Sequence, residues 1–387
     1  MPIDSNPKLR VVIAGQTPPP IGGQNICIQR ILDLLSQTDC IKVDHLAFEF
    51  TKSWNSARKV GGGKLAELMR VLYRLSRLRS NGGIDVLIYP AGGPHAVAIL
   101  RDMVLLPFMR LCSRRVVIHF HAAGLHEYLE SANSLIKKCV PLAYSLFSRE
   151  AVVNSNFGKK DAGAAGIKKI HVIPNAVEDL AGGFLEQDME PQVEILSVGH
   201  LCRDKGTPQL LTAFGRLSKM YPDIRLKVVG EPLPPYSEKK LLQDIAATGC
   251  SERIEWAGVL TGENLSSAFR KADLFVFSSV APYESFGLVM VEAMQWSLPL
   301  VVTDWRANLE VCTEKFGGSV ARNPENDLET SLATALEKTL DERQSWPEWA
   351  KKNRKIYERL YSVHTWKSKL LELIDPSLGK NQETQPS

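Results

Sequence analysis

Two successive runs of strand-then-helix patterning predict an α/β chain made of two parallel-sheet domains. Three observations carry this. The chain has 387 residues, more than one ordinary core accommodates. Short apolar runs recur, each closed by a Gly-, Pro- or Asn-bearing loop and followed by helical spacing. The pattern fades over AVEDLAGGFLEQDMEPQ and then restarts.

In the first half, LRVVIAG reads as a strand, TPPPIGG as a tight loop, and QNICIQRILDLLSQ as the helix after it. DVLIYPAGG, RRVVIHFHAAG, EAVVNSN and KIHVIPN repeat that design. Continuous apolar runs without alternation belong to strands buried on both faces, as in a parallel sheet covered by helices. After a linker near 177–192, VEILSVG, IRLKVVGE, IEWAG, DLFVFSS and PLVVTD supply a second set, with TPQLLTAFGRLSKM as a helix between the first two. The expected domains are 1–180 and 190–355. The tail from about 346 has helical spacing only, and a helix at about 356–375 is expected to return to the first domain. The final SLGKNQETQPS reads as frayed.

Composition excludes several classes. With 44 % hydrophobic and 23 % charged residues the chain is neither disordered nor membrane-embedded. The most apolar stretch, LRDMVLLPFMRL, is interrupted by Arg101, Asp102, Pro107 and Arg110, so no membrane-spanning run is expected. The N-terminus lacks the layout of a signal peptide, which predicts a cytoplasmic protein. Seven scattered cysteines with no C-x-x-C pair argue for free thiols and against a metal cluster. Residues 1–185 hold 23 Lys and Arg against 14 Asp and Glu, and residues 186–387 hold 24 against 29. The first half is therefore basic and the second acidic, but no dense basic stripe with interleaved aromatics speaks for nucleic acid.

The densest chemical signal is APYESFGLVMVEAM, residues 281–294. It reads as a loop running into a helix with Ser285 as N-cap, Glu284 just before the helix and Glu292 about two turns inside. A helix start offers unpaired N–H groups to a diphosphate or sugar oxygen, and Gly287 leaves room for a ligand at the backbone. A carboxylate such as Glu292 can accept two hydrogen bonds from vicinal ribose hydroxyls. The plainer reading of the pair is one surface acid and one capping acid.

With Pro282 before it, Phe286 and Gly287 between the acids, and Pro299 before a strand, this E-x7-E element resembles that of the retaining glycosyltransferases of family 4 (glycosyl transferases group 1). SVGHLCRDKGTPQLL resembles a second signature of the same family, a strand followed by a glycine, a basic residue and Lys-Gly. TPPPIGGQN resembles the family's first glycine-rich turn, and is not the G-x-G-x-x-G dinucleotide fingerprint. The resemblance covers almost the whole chain and implies a GT-B fold, two Rossmann-like domains facing across a cleft.

It also implies roles. Lys205 would meet the donor diphosphate, with Gly199, His200 and Arg203 in the same loop. Glu284 and the backbone of Phe286, Gly287 and Leu288 would meet the sugar, and Glu292 the ribose. Val259 and Leu260 would lie at the nucleobase. Gly22, Gly23 and His121 would contact phosphate or sugar from the first domain, His121 by orienting or polarising. His119, on the same face of its strand, is the better candidate for a packed histidine. Two departures stand out: His200 occupies a position where many members carry arginine, and WRANLEV replaces a commoner Gly-rich loop while keeping Glu310.

No D-x-D pair occurs, which fits a site that needs no metal or other cofactor and neutralises the diphosphate with Lys205 and helix N-termini. The implied reaction is transfer of a sugar from a nucleotide-diphosphate sugar to a hydroxyl, with retention, on a glycan or lipid-linked acceptor of envelope polysaccharide synthesis. A non-catalytic subunit of the same fold, or an epimerase or phosphorylase, are the alternatives. GKLAELMRVLYRLSRLRS, residues 63–80, carries an apolar stripe and a stripe of Arg70, Arg74 and Arg77. It reads either as a helix on the anionic inner face of a membrane or as a packed helix with a solvated basic side, and Gly61–Gly63 would place it on a mobile loop.

Overall fold

The computed structural model describes residues 9–19, 22–49, 62–184, 191–313, 315–322 and 324–380. The described residues divide into two compact units, those up to 174 with those from 367 onward, and those between 175 and 366.

The first unit is built on six parallel strands, β1 (Leu9–Gly15), β2 (Ile41–Ala47), β3 (Val86–Pro90), β4 (Arg115–Phe120), β5 (Glu150–Val153) and β6 (Lys169–Val172), in the order β2-β1-β3-β4-β5-β6. Val12, Leu87 and Ile118 are fully buried because helices cover both faces of the sheet. The right-handed crossover rule sorts those helices. Gly23–Ser36, on the step from β1 back to β2, takes one face. Gly62–Ser80, Ala96–Cys112 and Ser134–Phe147, on the steps in the other direction, take the opposite face.

β2 has no counterpart in the sequence reading. It is an edge strand, IKVDHLA, with polar residues among the apolar ones. It pairs with β1 throughout, and the Arg10 Nε donates to Asp44 Oδ2 at 2.6 Å. The C-terminal helix Val363–Ile374 belongs to this unit from Lys367 onward: the Arg115 guanidinium donates to the carbonyls of Ile374 at 2.9 Å and Leu373 at 3.0 Å. Of the tail read as frayed, the first four residues lie in the short helix Pro376–Lys380, and 381–387 lie outside the described residues.

The second unit repeats the design with β7 (Val193–Val198), β8 (Ile224–Val229), β9 (Ile254–Trp256), β10 (Leu274–Phe277), β11 (Leu300–Thr303) and β12 (Gly318–Ala321). Their order is β12-β11-β10-β7-β8-β9, so the direction of winding reverses between β7 and β10. Open α/β sheets bind ligands beyond the carboxyl ends of the strands at such a reversal.

The stretch read as a linker behaves differently at its two ends. Residues 175–184 belong to the second unit, while 185–190 lie outside the described residues. Val177 bridges to Ser362, Leu180 N–H donates to Gln295 Oε1 at 2.7 Å, and Arg354 Nη1 donates to Asp179 Oδ1 at 2.8 Å. A segment without periodicity is thus ordered by polar bonds. The chain leaves the second unit at Trp366, later than the expected 355, because the helix Trp346–Leu360 still packs there through Trp346 and Tyr357.

Candidate functional site

In the second unit the loops after β7 and β10 are locked together. Gly206 begins the helix Thr207–Leu217 with φ +74°, and a Cβ on it would lie 2.2 Å from the Ser278 carbonyl oxygen. Only glycine permits both the left-handed backbone and that approach. Ser278 Oγ donates to the Lys205 carbonyl at 2.7 Å, and Val280 N–H to the Asp204 carbonyl at 2.9 Å. The side chain of Lys205 is thereby aimed at the β10 loop.

There it meets Glu284. Lys205 Nζ donates to Glu284 Oε2 at 2.6 Å, and Ser279 Oγ donates to the same oxygen at 2.9 Å. The Gly287 N–H adds a further bond. Burial opposes ionisation of Glu284, but Lys205 and these donors outweigh it and hold the carboxyl below its ordinary value. Folded-state stability from this ionisation is present above the usual carboxylate range and is lost as pH falls through the depressed value. The Tyr283 ring centre lies 5.6 Å from Lys205 Nζ, a cation–π contact.

The E-x7-E helix differs from the sequence reading. It spans Leu288–Gln295, its N-cap is Gly287 with φ +70°, and no side chain caps it, so Ser285 is not the cap. The left-handed backbone at Gly287 favours glycine, and a Cβ there would also lie 2.5 Å from Met290 Cε and 3.1 Å from the Phe277 ring. Glu292 is half-buried one turn into the helix, nearer its start than expected. Phe286 is buried edge-on to Tyr361 at 5.7 Å, which leaves its backbone, not its ring, at the loop.

The remaining residues of the predicted set surround these strand ends. Gly199, φ +148°, follows β7 with open space where a Cβ would be. His200 is half-buried with Nδ1 3.9 Å from Glu231 Oε1; burial first, then the nearby Lys205 charge, lower its pKa. It is therefore a neutral hydrogen-bonding group at pH 7 and no substitute for an arginine. Arg203 is exposed on the same turn. Val259 is exposed and Leu260 half-buried after β9, next to Gly258, whose carbonyl accepts the Gly230 N–H at 2.7 Å.

In the first unit Gly22 caps the helix Gly23–Ser36, its carbonyl accepting Ile26 N–H at 3.0 Å, and Gly23 is exposed. His119 and His121 share one side of β4 and its exit, ring centres 3.8 Å apart. His119 is buried and shares a 3.0 Å hydrogen bond with Asn154 Oδ1. Burial lowers His119 to about 4 and also depresses His121, with His119 as a second cause, so both rings are neutral at pH 7. Cys27 joins them: the three offer ligand atoms within 4.8 Å of one another, the only such group of three among the described residues. Burial pushes the Cys27 thiol up to about 12, so a metal would have to displace its proton.

Sequence reasoning missed Ser279, Tyr283, Asn154 and Cys27. Each is an unremarkable residue in its stretch, and only the fold brings it to a named partner.

Residues 186–355 match the family model described as glycosyl transferases group 1. Mannosylfructose-phosphate synthase of Agrobacterium fabrum is 31 % identical over 151 residues, 35 % of this chain and 33 % of that protein. The lipopolysaccharide core biosynthesis mannosyltransferase LpsB of Rhizobium meliloti is 34 % identical over 125 residues, 31 % of this chain and 33 % of that protein. The chain spans about a third to a half of the length of the first curated relatives it matches, 33 % to 51 %. Among solved structures, sucrose-phosphate synthase from Thermosynechococcus elongatus superposes with a TM-score of 0.73 at 15 % identity, covering 96 % of this chain and 100 % of that one. Anabaena Alr3699/HepE in complex with UDP and glucose gives 0.66 at 18 % identity, covering 95 % and 100 %. The fold is GT-B, an α/β chain of two Rossmann-like units.

Proposed function

We propose that this chain is a retaining hexosyltransferase that moves a sugar from a nucleotide-diphosphate sugar to a hydroxyl of a glycan or lipid-linked acceptor in envelope polysaccharide synthesis. The observation that carries the reading is the Lys205–Glu284 pair at the strand-order reversal of the second sheet. An ammonium has three donors, and one is spent on Glu284. The others suit a diphosphate, together with the N-termini of the helices that Gly206 and Gly287 begin.

Glu284, held ionised, would accept from sugar hydroxyls, and Glu292 from the ribose. Gly22, Gly23 and His121 would contact phosphate or sugar. His121, neutral at pH 7, orients by a hydrogen bond and carries no charge to the reaction. Catalysis in this reading rests on stabilising the leaving diphosphate and placing the acceptor hydroxyl, with no metal or other cofactor. Sugar transfer and nucleotide binding in the relatives' names support it. The helix Gly62–Ser80 is assigned to the anionic inner face of a membrane, where such an acceptor would be met.

Calorimetric titration with UDP, GDP and ADP, and assays of nucleotide release from their sugars, test the reading. One nucleotide is expected to bind, and Glu292→Ala to weaken it at least about tenfold without unfolding, the cost of two lost ribose hydrogen bonds. Unchanged affinity would remove the ribose assignment. Binding without release or transfer from any sugar nucleotide would make the chain a non-catalytic subunit.

A further inference from the structure

The helix Gly62–Ser80 does not carry its exposed stripe alone. Leu65, Met69 and Tyr73 repeat every four residues along it, each 60–64 % exposed. Its neighbour Ala96–Cys112 displays Leu100 at 65 % and Leu111 at 68 %, and the helix beyond, Ser134–Phe147, displays Leu142 at 66 % and Leu146 at 63 %. The three helices pack side by side on one face of the first sheet, Ala96–Cys112 in the middle. The Arg79 guanidinium donates to the Leu111 carbonyl, tying the first to the second. Every exposed large apolar side chain among the described residues of this unit lies on these three helices.

Their charge is as one-sided as their exposure. Together the three helices carry nine Lys and Arg and only two acids. Both acids are withdrawn: Glu67 is buried and paired with Arg70, and Asp102 is fully buried beneath the layer. Lys137, Lys138, Arg77 and Arg110 are exposed beside the leucines. Leucines in water cost free energy, and patches of this kind mark interaction sites. A protein partner with an acidic, apolar surface would meet the same charges, but the stripes run along three neighbouring helices with basic side chains interspersed. That arrangement suits an acyl–headgroup boundary, where leucines enter the acyl layer and lysines and arginines reach phosphates.

We infer that the outer face of the helices Gly62–Ser80, Ala96–Cys112 and Ser134–Phe147 is one docking surface for an anionic lipid bilayer. This deepens the membrane part of the reading above from one helix to three, and it does not depend on the catalytic part.

Flotation of the full chain with phosphatidylglycerol–phosphatidylcholine vesicles and with phosphatidylcholine vesicles tests it. Binding is expected to the anionic vesicles and to weaken with added salt. Leu142→Asp with Leu146→Asp, on the helix farthest from Gly62–Ser80, should lower binding at least about tenfold, since two leucines no longer enter the acyl layer. Arg77→Glu with Lys138→Glu should reduce both binding and its salt dependence. Circular dichroism melts should match the parent, because all four side chains point to solvent, and nucleotide affinity should be unchanged. No binding to anionic vesicles overturns the inference, as does binding insensitive to Leu142 and Leu146. A dimer in solution that the leucine variants dissociate, without vesicle binding, also overturns it and makes the face a contact between copies. Loss of nucleotide binding in the unmodified chain would sink the proposed function and leave the lipid result standing.

Discussion

Lys205 and Glu284 are separated by 79 residues, yet Nζ stands 2.6 Å from Oε2 at the point where the second sheet reverses its order. Lys205→Met should leave a buried carboxylate without its cation, and breaking such a pair costs about 3 kcal/mol. Glu284→Gln keeps the shape and strands no buried charge, so it should cost less. Urea midpoints of both variants check the order. Greater loss in Glu284→Gln would mean that the carboxylate is held mainly by Ser279 and the Gly287 N–H.

Gly206 sets where that lysine sits. Gly206→Ala combines a left-handed backbone with a Cβ 2.2 Å from the Ser278 carbonyl oxygen, so the two loops must part. A loss of about 3 kcal/mol is expected, with weaker nucleotide binding beyond what the unfolded fraction explains. Differential scanning calorimetry paired with nucleotide titration reads both.

The first unit should be acid-sensitive through His119. Its folded pKa of about 4 lies below the ordinary 6.5, so on acidification the unfolded chain takes up a proton before the folded one does. The contribution is present above pH 6.5 and is lost as pH falls through about 4. Between pH 7 and pH 5 the loss is about 2 kcal/mol. His119→Gln should shrink the difference between urea midpoints at those two pH values. An unchanged difference would assign it to other groups.

Asp102 is the polar centre beneath the three-helix face. It accepts the hydroxyls of Tyr89 at 2.5 Å and Tyr144 at 2.6 Å, the Gly92 N–H at 2.7 Å and the Arg101 guanidinium at 2.7 Å. Asp102→Ala strands these donors and Arg101, an expected loss of about 4 kcal/mol in the first unit's unfolding transition. Vesicle binding measured below that transition should persist.

By itself the sequence determined the two α/β sheets, because apolar runs such as LRVVIAG and DLFVFSS alternate with helical segments, the pattern of a parallel sheet buried on both faces. It also offered Lys205, Glu284 and Glu292 as candidates, through the resemblance of SVGHLCRDKGTPQLL and of the E-x7-E element to family signatures. β2 was illegible because an edge strand buries little and mixes polar with apolar residues. The ordering of 175–184 was illegible because Asp179 and Leu180 are held by Arg354 and Gln295, more than a hundred residues away.

Only the tertiary structure decided which groups act on one another. It made Gly287, not Ser285, the start of the helix, with a left-handed backbone and no side-chain cap. It placed Ser279 on Glu284, Asn154 on His119 and Cys27 beside both histidines. It also turned three separately amphipathic helices into one basic, apolar face, because right-handed crossovers put all three on the same side of the sheet. Periodicity reports how a segment meets its core. Partners are set by the order in which strands pair, and that order is a property of the folded chain.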